Sequence, residues 1–270
     1  MRKILYSTVI AAATCAPALV GAQASSPHSL SGNMAIVSDY RFRGISQTFL
    51  QPAIQGGIDY SHSSGAYFGT WDSSVSGLTY ANSAGIEVDF YGGWKGEVAK
   101  DVNLDVGLLQ YYYPNARIVG AKTTKYDTLE LYVGATYKWI TLKYSHTLTD
   151  YFGFNTDTMG NASNRDGSFT YGASPGDSKG SGYIDLSVSY EVMPKLTLAA
   201  HVGQQKVKNF EKHDYTDYKL GLTYDVQGWA LGAAVIGTNA DKKWYFLTDA
   251  GSRTKEIGKT GLVVSVSKTF

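Results

Sequence analysis

Apolar and polar residues alternate with a period of two along most of this chain, the pattern that puts the two sets on opposite faces of a β-strand. Over residues 33–44, Met34, Ile36, Tyr40 and Phe42 share one parity, and Asn33, Asp39, Arg41 and Arg43 the other. Ile54, Ile58 and Tyr60 then oppose Gln55 and Asp59, and Tyr67 and Trp71 oppose Thr70 and Asp72. Ile86, Val88, Phe90 and Trp94 stand against Glu87 and Asp89, and Val102, Leu104, Val106, Leu108 and Tyr112 against Asn103, Asp105 and Tyr111.

The second half repeats the pattern. Leu129, Leu131, Val133 and Tyr137 oppose Glu130 and Thr136, while Ile140, Leu142 and Tyr144 oppose Thr141 and Lys143. Ile184, Leu186, Val188 and Tyr190 face away from Asp185 and Ser187, and Leu196, Leu198 and Val202 from Thr197 and His201. Tyr218, Leu220, Leu222 and Tyr224 oppose Asp217 and Lys219, and two further segments cover 229–238 and 262–270. This predicts about twelve strands, an even number in the range of single-chain bacterial barrels.

Connection lengths sort by parity. Short links fall at 63–65, 97–101, 138–139, 191–195 and 226–228, and long ones at 46–52, 74–83, 114–127, 150–182, 206–216 and 239–261. Short periplasmic turns alternating with longer external loops mark an outer-membrane barrel, whereas a sandwich has no reason to sort them. The expected fold is therefore all-β: an antiparallel transmembrane β-barrel, connected as an up-and-down meander.

On that threading, apolar-parity aromatics gather at the two strand ends. Tyr60, Tyr67, Trp94, Tyr137, Tyr190, Tyr224, Trp229 and Phe270 lie at the inner end, and Phe42, Trp71, Tyr112 and Tyr218 at the outer. These are the girdles expected where rings meet both lipid and water. Lys268 shares the outward parity of Val266 and Phe270 and is expected to snorkel to the interface. The terminal aromatic strand LVVSVSKTF resembles the signal that outer-membrane proteins present to the β-barrel assembly machinery.

Composition adds 21 Tyr and 30 Gly with only 6 Pro, a balance suited to strands and tight turns. Arg2 and Lys3, the apolar run 4–13 and the small residues ending in Ala22-Gln23-Ala24 read as a secretory signal peptide over 1–24, leaving a barrel domain over 25–270. Its removal leaves 22 basic residues against 23 acidic ones. No basic excess points to nucleic acid. Cys15 goes with the leader, so neither a disulfide nor a thiolate metal site is expected. Ala12-Ala13-Thr14 before Cys15 makes a poor lipobox.

The polar parity then defines a charged lumen. Its expected lining is Asp39, Arg41, Arg43, Asp59, Asp72, Glu87, Asp89, Asp105, Glu130, Lys143, Asp185, His201, Asp217 and Lys219. Acids outnumber bases. Such charges tune which solutes pass, and Arg41 and Arg43 facing Glu87, Asp89 or Asp59 across a constriction would give a mild cation preference. The alternative is that the charges pair with one another and fill a narrow lumen.

Several segments, SDYRFRGISQT, PAIQGGIDY, the GTW at 69–71, EVDFYGGW, YYYPNA, YTDYKLGLTYD and the SVSKTF ending, resemble the TorF family of porin-like proteins, formerly the conserved-hypothetical Gcw family. The resemblance covers nearly the whole mature chain. It implies a porin-like barrel in the bacterial outer membrane, surrounded by lipid and with undetermined substrate, and brings no catalytic residues.

Other chemistry finds little support. His201 is the one histidine expected on an inward strand face; His62 and His146 have outward parity, and His213 is in a loop. A polar lumen residue is the simpler reading of His201 than the base of an outer-membrane hydrolase. Asp157, Asn161, Asn164 and Asp166 do not match an EF-hand spacing and read as a solvated loop. No Gly-rich phosphate loop opens a helix, and no cofactor is expected. The expected function is diffusion of small hydrophilic solutes or ions, with a non-conducting structural or adhesive barrel as the alternative.

Overall fold

The structure is a computed structural model and describes residues 26–83, 85–160, 162–172 and 174–270. The expected leader over 1–24, with Cys15, lies outside the described residues. Twelve strands close a barrel: β1 (His28–Val37), β2 (Ala53–His62), β3 (Ala66–Ser74), β4 (Ile86–Ala99), β5 (Val102–Tyr112), β6 (Thr128–Tyr137), β7 (Ile140–Thr147), β8 (Gly182–Met193), β9 (Leu196–Lys206), β10 (Tyr215–Val226), β11 (Trp229–Thr238) and β12 (Gly261–Thr269). Each pairs antiparallel with its chain neighbour, and β12 returns to β1 with Ile36 opposite Val266. Closure leaves no sheet edge unpaired.

The outer surface is apolar. Ile54, Ile58, Phe68, Leu142, Leu220 and Leu262 are each at least half exposed. A continuous belt of such side chains matches hydrocarbon rather than water. Tyr137, Tyr190, Tyr224, Trp229 and Phe270 are exposed at the short-turn end, and Tyr112 and Tyr218 at the long-loop end. Lys268 Nζ sits 4.9 Å above the Trp229 ring and 5.6 Å from the Phe270 centroid, so its charge is held within this aromatic girdle.

Short turns depend on residues at positive φ, whose twist suits tight hairpins. Asp101, Lys138, Lys195 and Gln227 adopt it. Two of these turns share a device: bulges at Glu97 and Glu191 place each carboxylate to accept from the backbone N–H four residues on, at Asp101 and Lys195.

Two parity expectations are corrected. The first strand ends at Val37, and residues 38–52 turn into the barrel, carrying a small hairpin in which Phe42 pairs with Ile45. Tyr40 and Phe42 are consequently buried, so Phe42 belongs to no outer girdle. Alternation runs on past Val37 because the hairpin is itself extended. Its turn, Arg43-Gly44, has φ of 45° and 80°.

In β3 the faces are reversed from the sequence reading. Tyr67 and Trp71 are buried inside, while Phe68, Thr70 and Asp72 face outward. The reason is register: Tyr60 points outward and pairs with Phe68, so Phe68 must share its face. Asp72 therefore leaves the expected lumen set, and Tyr67 and Trp71 leave the girdles.

The long loops fold over the outer end. Phe152, at the start of the connection 148–181, packs against Phe42 and Tyr111, with ring centroids 5.5 and 5.4 Å away, and Tyr151 packs edge-on against Phe152. A second cluster joins Phe154, Tyr171, Phe210, His213 and Trp244 across three loops.

Candidate functional site: the barrel lumen

The hairpin within residues 38–52 dominates the lumen. Asp39 is its organiser, accepting from Arg41 Nε at 2.5 Å, Ser46 Oγ at 2.6 Å and Thr48 Oγ1 at 3.1 Å. Arg41 also donates through Nη1 to the carbonyls of Gly44, Ile257 and Lys259, tying the hairpin to the last long loop. Arg43 reaches Glu130 on β6 and Gln205 on β9, at 2.7 and 2.8 Å. A Cβ at Gly44 would lie 2.4 Å from Thr238 Cγ2 and 2.8 Å from Asp217 Cβ, and φ is positive there. Only glycine lets the turn approach the β10–β11 wall so closely.

The two arginines therefore meet other partners than expected: Arg41 pairs with Asp39 and Arg43 with Glu130, rather than with Glu87, Asp89 or Asp59.

Lumen carboxylates are satisfied mostly by phenols. Tyr40 donates to Glu87 at 2.9 Å, Tyr91 to Asp59 and Tyr67 to Asp105 at 2.5 Å each, Tyr111 to Glu130 at 3.3 Å and Tyr183 to Asp217 at 2.9 Å. Burial, then the Glu87 charge, pushes the Tyr40 phenol up, so it remains a donor. Gly203 makes room for this arrangement, since a Cβ there would run into the Tyr183 ring. Lys143 stands with Nζ 3.8 Å above the Tyr132 ring.

His201 lies between two carboxylates, with Nδ1 3.3 Å from Asp185 and Nε2 2.8 Å from Asp217. The Nε2 contact is close but off-axis for a hydrogen bond, and Asp185 and Asp217 each keep an oxygen unpaired. Ser187 donates to Asp185 rather than to His201, which does not form a nucleophile–base pair. In the loop expected to be solvated, Asp157 pairs with Lys122 and Asp166 with Lys243. Asn164 bonds Ser168, and Asn161 lies outside the described residues.

Beside the hairpin the lumen keeps a cavity of about 180 Å³ that opens to solvent. Asp39, Arg41, Arg43, Asp89, Glu130, Lys143, Asp185, His201 and Lys219 line it, while small residues such as Gly221, Gly232, Ala234 and Ser265 form the wall of β10–β12. Asp59, Glu87, Asp105 and Asp217 point inward but are engaged by tyrosines. The lumen residues absent from the sequence expectation include the aromatic or uncharged Tyr40, Tyr67, Trp71, Tyr183 and Gln205, and one base, Lys95, which stands opposite Asp105 with Nζ 5.4 Å from the Tyr67 ring. Pairing from the three-residue turn 63–65 was the available signal for Tyr67 and Trp71.

The family profile described as a bacterial protein of unknown function (Gcw_chp) matches residues 21–270. No curated protein matches the chain. Among solved structures, the KdgM porin aligns at 8% identity and TM-score 0.49, covering 89% of this chain and 99% of that one. The NanC porin aligns at 10% identity and TM-score 0.49, covering 90% and 99%. Pseudomonas aeruginosa OprD aligns at 13% identity and TM-score 0.39, covering 92% and 68%.

Proposed function

The chain belongs to the Gcw_chp family of bacterial proteins, and from that membership and the barrel's geometry we propose that it is a porin-like channel of the TorF type in the bacterial outer membrane. Small hydrophilic solutes or ions diffuse through its lumen. The leader over 1–24 directs export, and the assembly machinery reads the terminal strand. The observation that carries this reading is a charged cavity inside a closed barrel whose outer face is apolar. Water and solute are favoured inside, lipid outside.

Once the inward carboxylates of Asp59, Glu87, Asp105 and Asp217 behind their tyrosines are counted with those lining the cavity, acids exceed bases, which supports a mild preference for cations. The hairpin narrows the passage to the side lined by small residues, setting an upper limit on solute size. One observation favours a second reading: the aromatic cap of Phe42, Tyr111, Tyr151 and Phe152 packs tightly at the outer end, as a non-conducting surface barrel would have it.

Single-channel recording of the refolded mature chain in planar bilayers, under a potassium chloride gradient, separates the two. Steady openings with a cation-selective reversal potential are expected. A heat-modifiable, folded barrel that passes no current overturns the channel reading in favour of the surface barrel.

A further inference from the structure

We propose that the lumen holds a binding site for a small organic cation, an alkylguanidinium or alkylammonium group, centred on Asp89. The inference deepens the channel reading by naming the class of solute the lumen selects, and it rests on that reading for its role in transport. Binding itself is measurable without conduction.

Asp89 is the exception among the inward carboxylates. Asp39 has Arg41 and two hydroxyls, Glu130 has Arg43, and Asp59, Glu87, Asp105 and Asp217 each have a tyrosine. Asp185 has Ser187 and His201. Asp89 is 1% exposed, lines the cavity, and its Oδ1 has no hydrogen-bond partner among the described residues. Glu87, Asp72 and Glu130 all bring negative charge to its surroundings. Glu87, two residues away on the same face, leaves its Oε2 unpaired as well.

A carboxylate withdrawn from water without a partner is costly, and the cost is relieved by a proton or by a cation. The surroundings favour the cation. Trp71 and Tyr111 stand directly opposite Asp89 on the two neighbouring strands. Opposed side chains have Cβ atoms about 5 Å apart, so an indole and a phenol flank the carboxylate. Both rings are buried and face the same cavity.

Ring faces attract cations through their quadrupole, most strongly where water is excluded. A guanidinium or ammonium group is matched by one carboxylate between two rings. A metal ion wants several hard ligands, and no cluster of three or more His, Asp or Glu that could hold one occurs among the described residues. The small residues of the opposite wall, Gly232 and Ala234 among them, leave space for a short alkyl chain behind the charged head.

The test is isothermal titration of the refolded chain in detergent with butylguanidinium, its neutral isostere butylurea, and butyrate. Saturable binding of butylguanidinium alone is expected, weakened at least tenfold in Asp89→Asn and severalfold in Trp71→Leu, which keeps the carboxylate. Heat-modifiable migration on gels checks that each variant is folded; if Asp89→Asn is not, Trp71→Leu carries the comparison. Absence of saturation, equal binding of butylurea, or undiminished binding by the folded variants overturns the proposal. A barrel that binds but passes no current overturns only the channel reading, and one that conducts without binding overturns only this site.

Discussion

Arg43 and Glu130, 87 residues apart in sequence, meet inside the barrel at 2.7 Å with both side chains almost completely buried. The pair joins the inward hairpin to the wall of β6, and Gln205 on β9 takes the second guanidinium nitrogen. Breaking one partner of a buried pair leaves the other charge uncompensated, at about 3–5 kcal/mol. Since the hairpin can swing out to relieve that cost, Arg43→Ala is expected to release it rather than unfold the barrel. Single-channel conductance should rise, and trypsin should cut near Arg41. An unchanged conductance and cleavage pattern would show that the pair does not hold the hairpin in place.

Gly44 offers a second handle on the same hairpin. Gly44→Val would set a β-branched residue at φ +80° and drive its Cβ against Thr238 and Asp217. The left-handed backbone alone costs about 1–2 kcal/mol for such a residue, with steric conflict added. The variant is expected to resemble Arg43→Ala in conductance while keeping the Arg43 side chain. If it behaves as the parent protein, the close approach of the turn to the wall is not what seats the hairpin.

His213 makes the outer cap sensitive to acid. It is buried among Phe154, Tyr171, Trp244 and Tyr245, with Tyr171 Oη 2.8 Å from Nδ1, and burial pushes its imidazole down to about 3. The depressed value fixes the sign. Above the ordinary imidazole value near 6.5, the ring is neutral in open and closed states alike and the cap keeps its full stability. As pH falls from there toward 3, the open state binds a proton that the closed state refuses, at a cost of up to about 5 kcal/mol. Trp244, 5.1 Å from the His213 ring, should report the opening as a fluorescence change between pH 6 and 4. The change should be absent from His213→Phe; its persistence there would assign the transition to another group.

The outward belt predicts a depth-dependent penalty. Leu220 lies near the middle of β10 and is 59% exposed. In lipid, Leu220→Arg is expected to destabilise the barrel by about 2–4 kcal/mol, falling toward 1 or less for Val226→Arg at the strand end. Urea titrations of vesicle-embedded protein measure both. Equal penalties would mean that the belt is not centred on β10.

The barrel itself was legible because its faces meet opposite solvents, so that period-two patterning and loop parity survive in most strands. Strands β7 and β9 follow it closely, as does β6 except at the inward ring of Tyr132, and the inward positions of Glu130, Lys143 and His201 go with it. The pattern fails where an aromatic ring serves the lumen. Tyr40, Tyr67 and Tyr183 look apolar by type, yet their hydroxyls satisfy Glu87, Asp105 and Asp217. Alternation along one strand carries no information on where a hairpin such as 41–46 leaves the wall. The partner of Arg43 is set by that long-range placement, so no local pattern names Glu130.

The reversed faces of β3 can be tested directly, and the outcome bears on more than that strand. Tyr60 pairs with Phe68 and Trp71 with Asp89, which puts Phe68 in lipid and Trp71 beside the carboxylate whose Oδ1 has no hydrogen-bond partner among the described residues. In vesicles of brominated lipid, a variant with Trp71 as its sole tryptophan should be quenched weakly. A variant with its sole tryptophan at Phe68→Trp should be quenched strongly, because bromine quenches only rings it can touch. If the two intensities were exchanged, β3 would be threaded by its apolar parity instead. Asp72 would then enter the lumen and the indole would leave Asp89, removing one of the two rings that make that carboxylate a place for an organic cation.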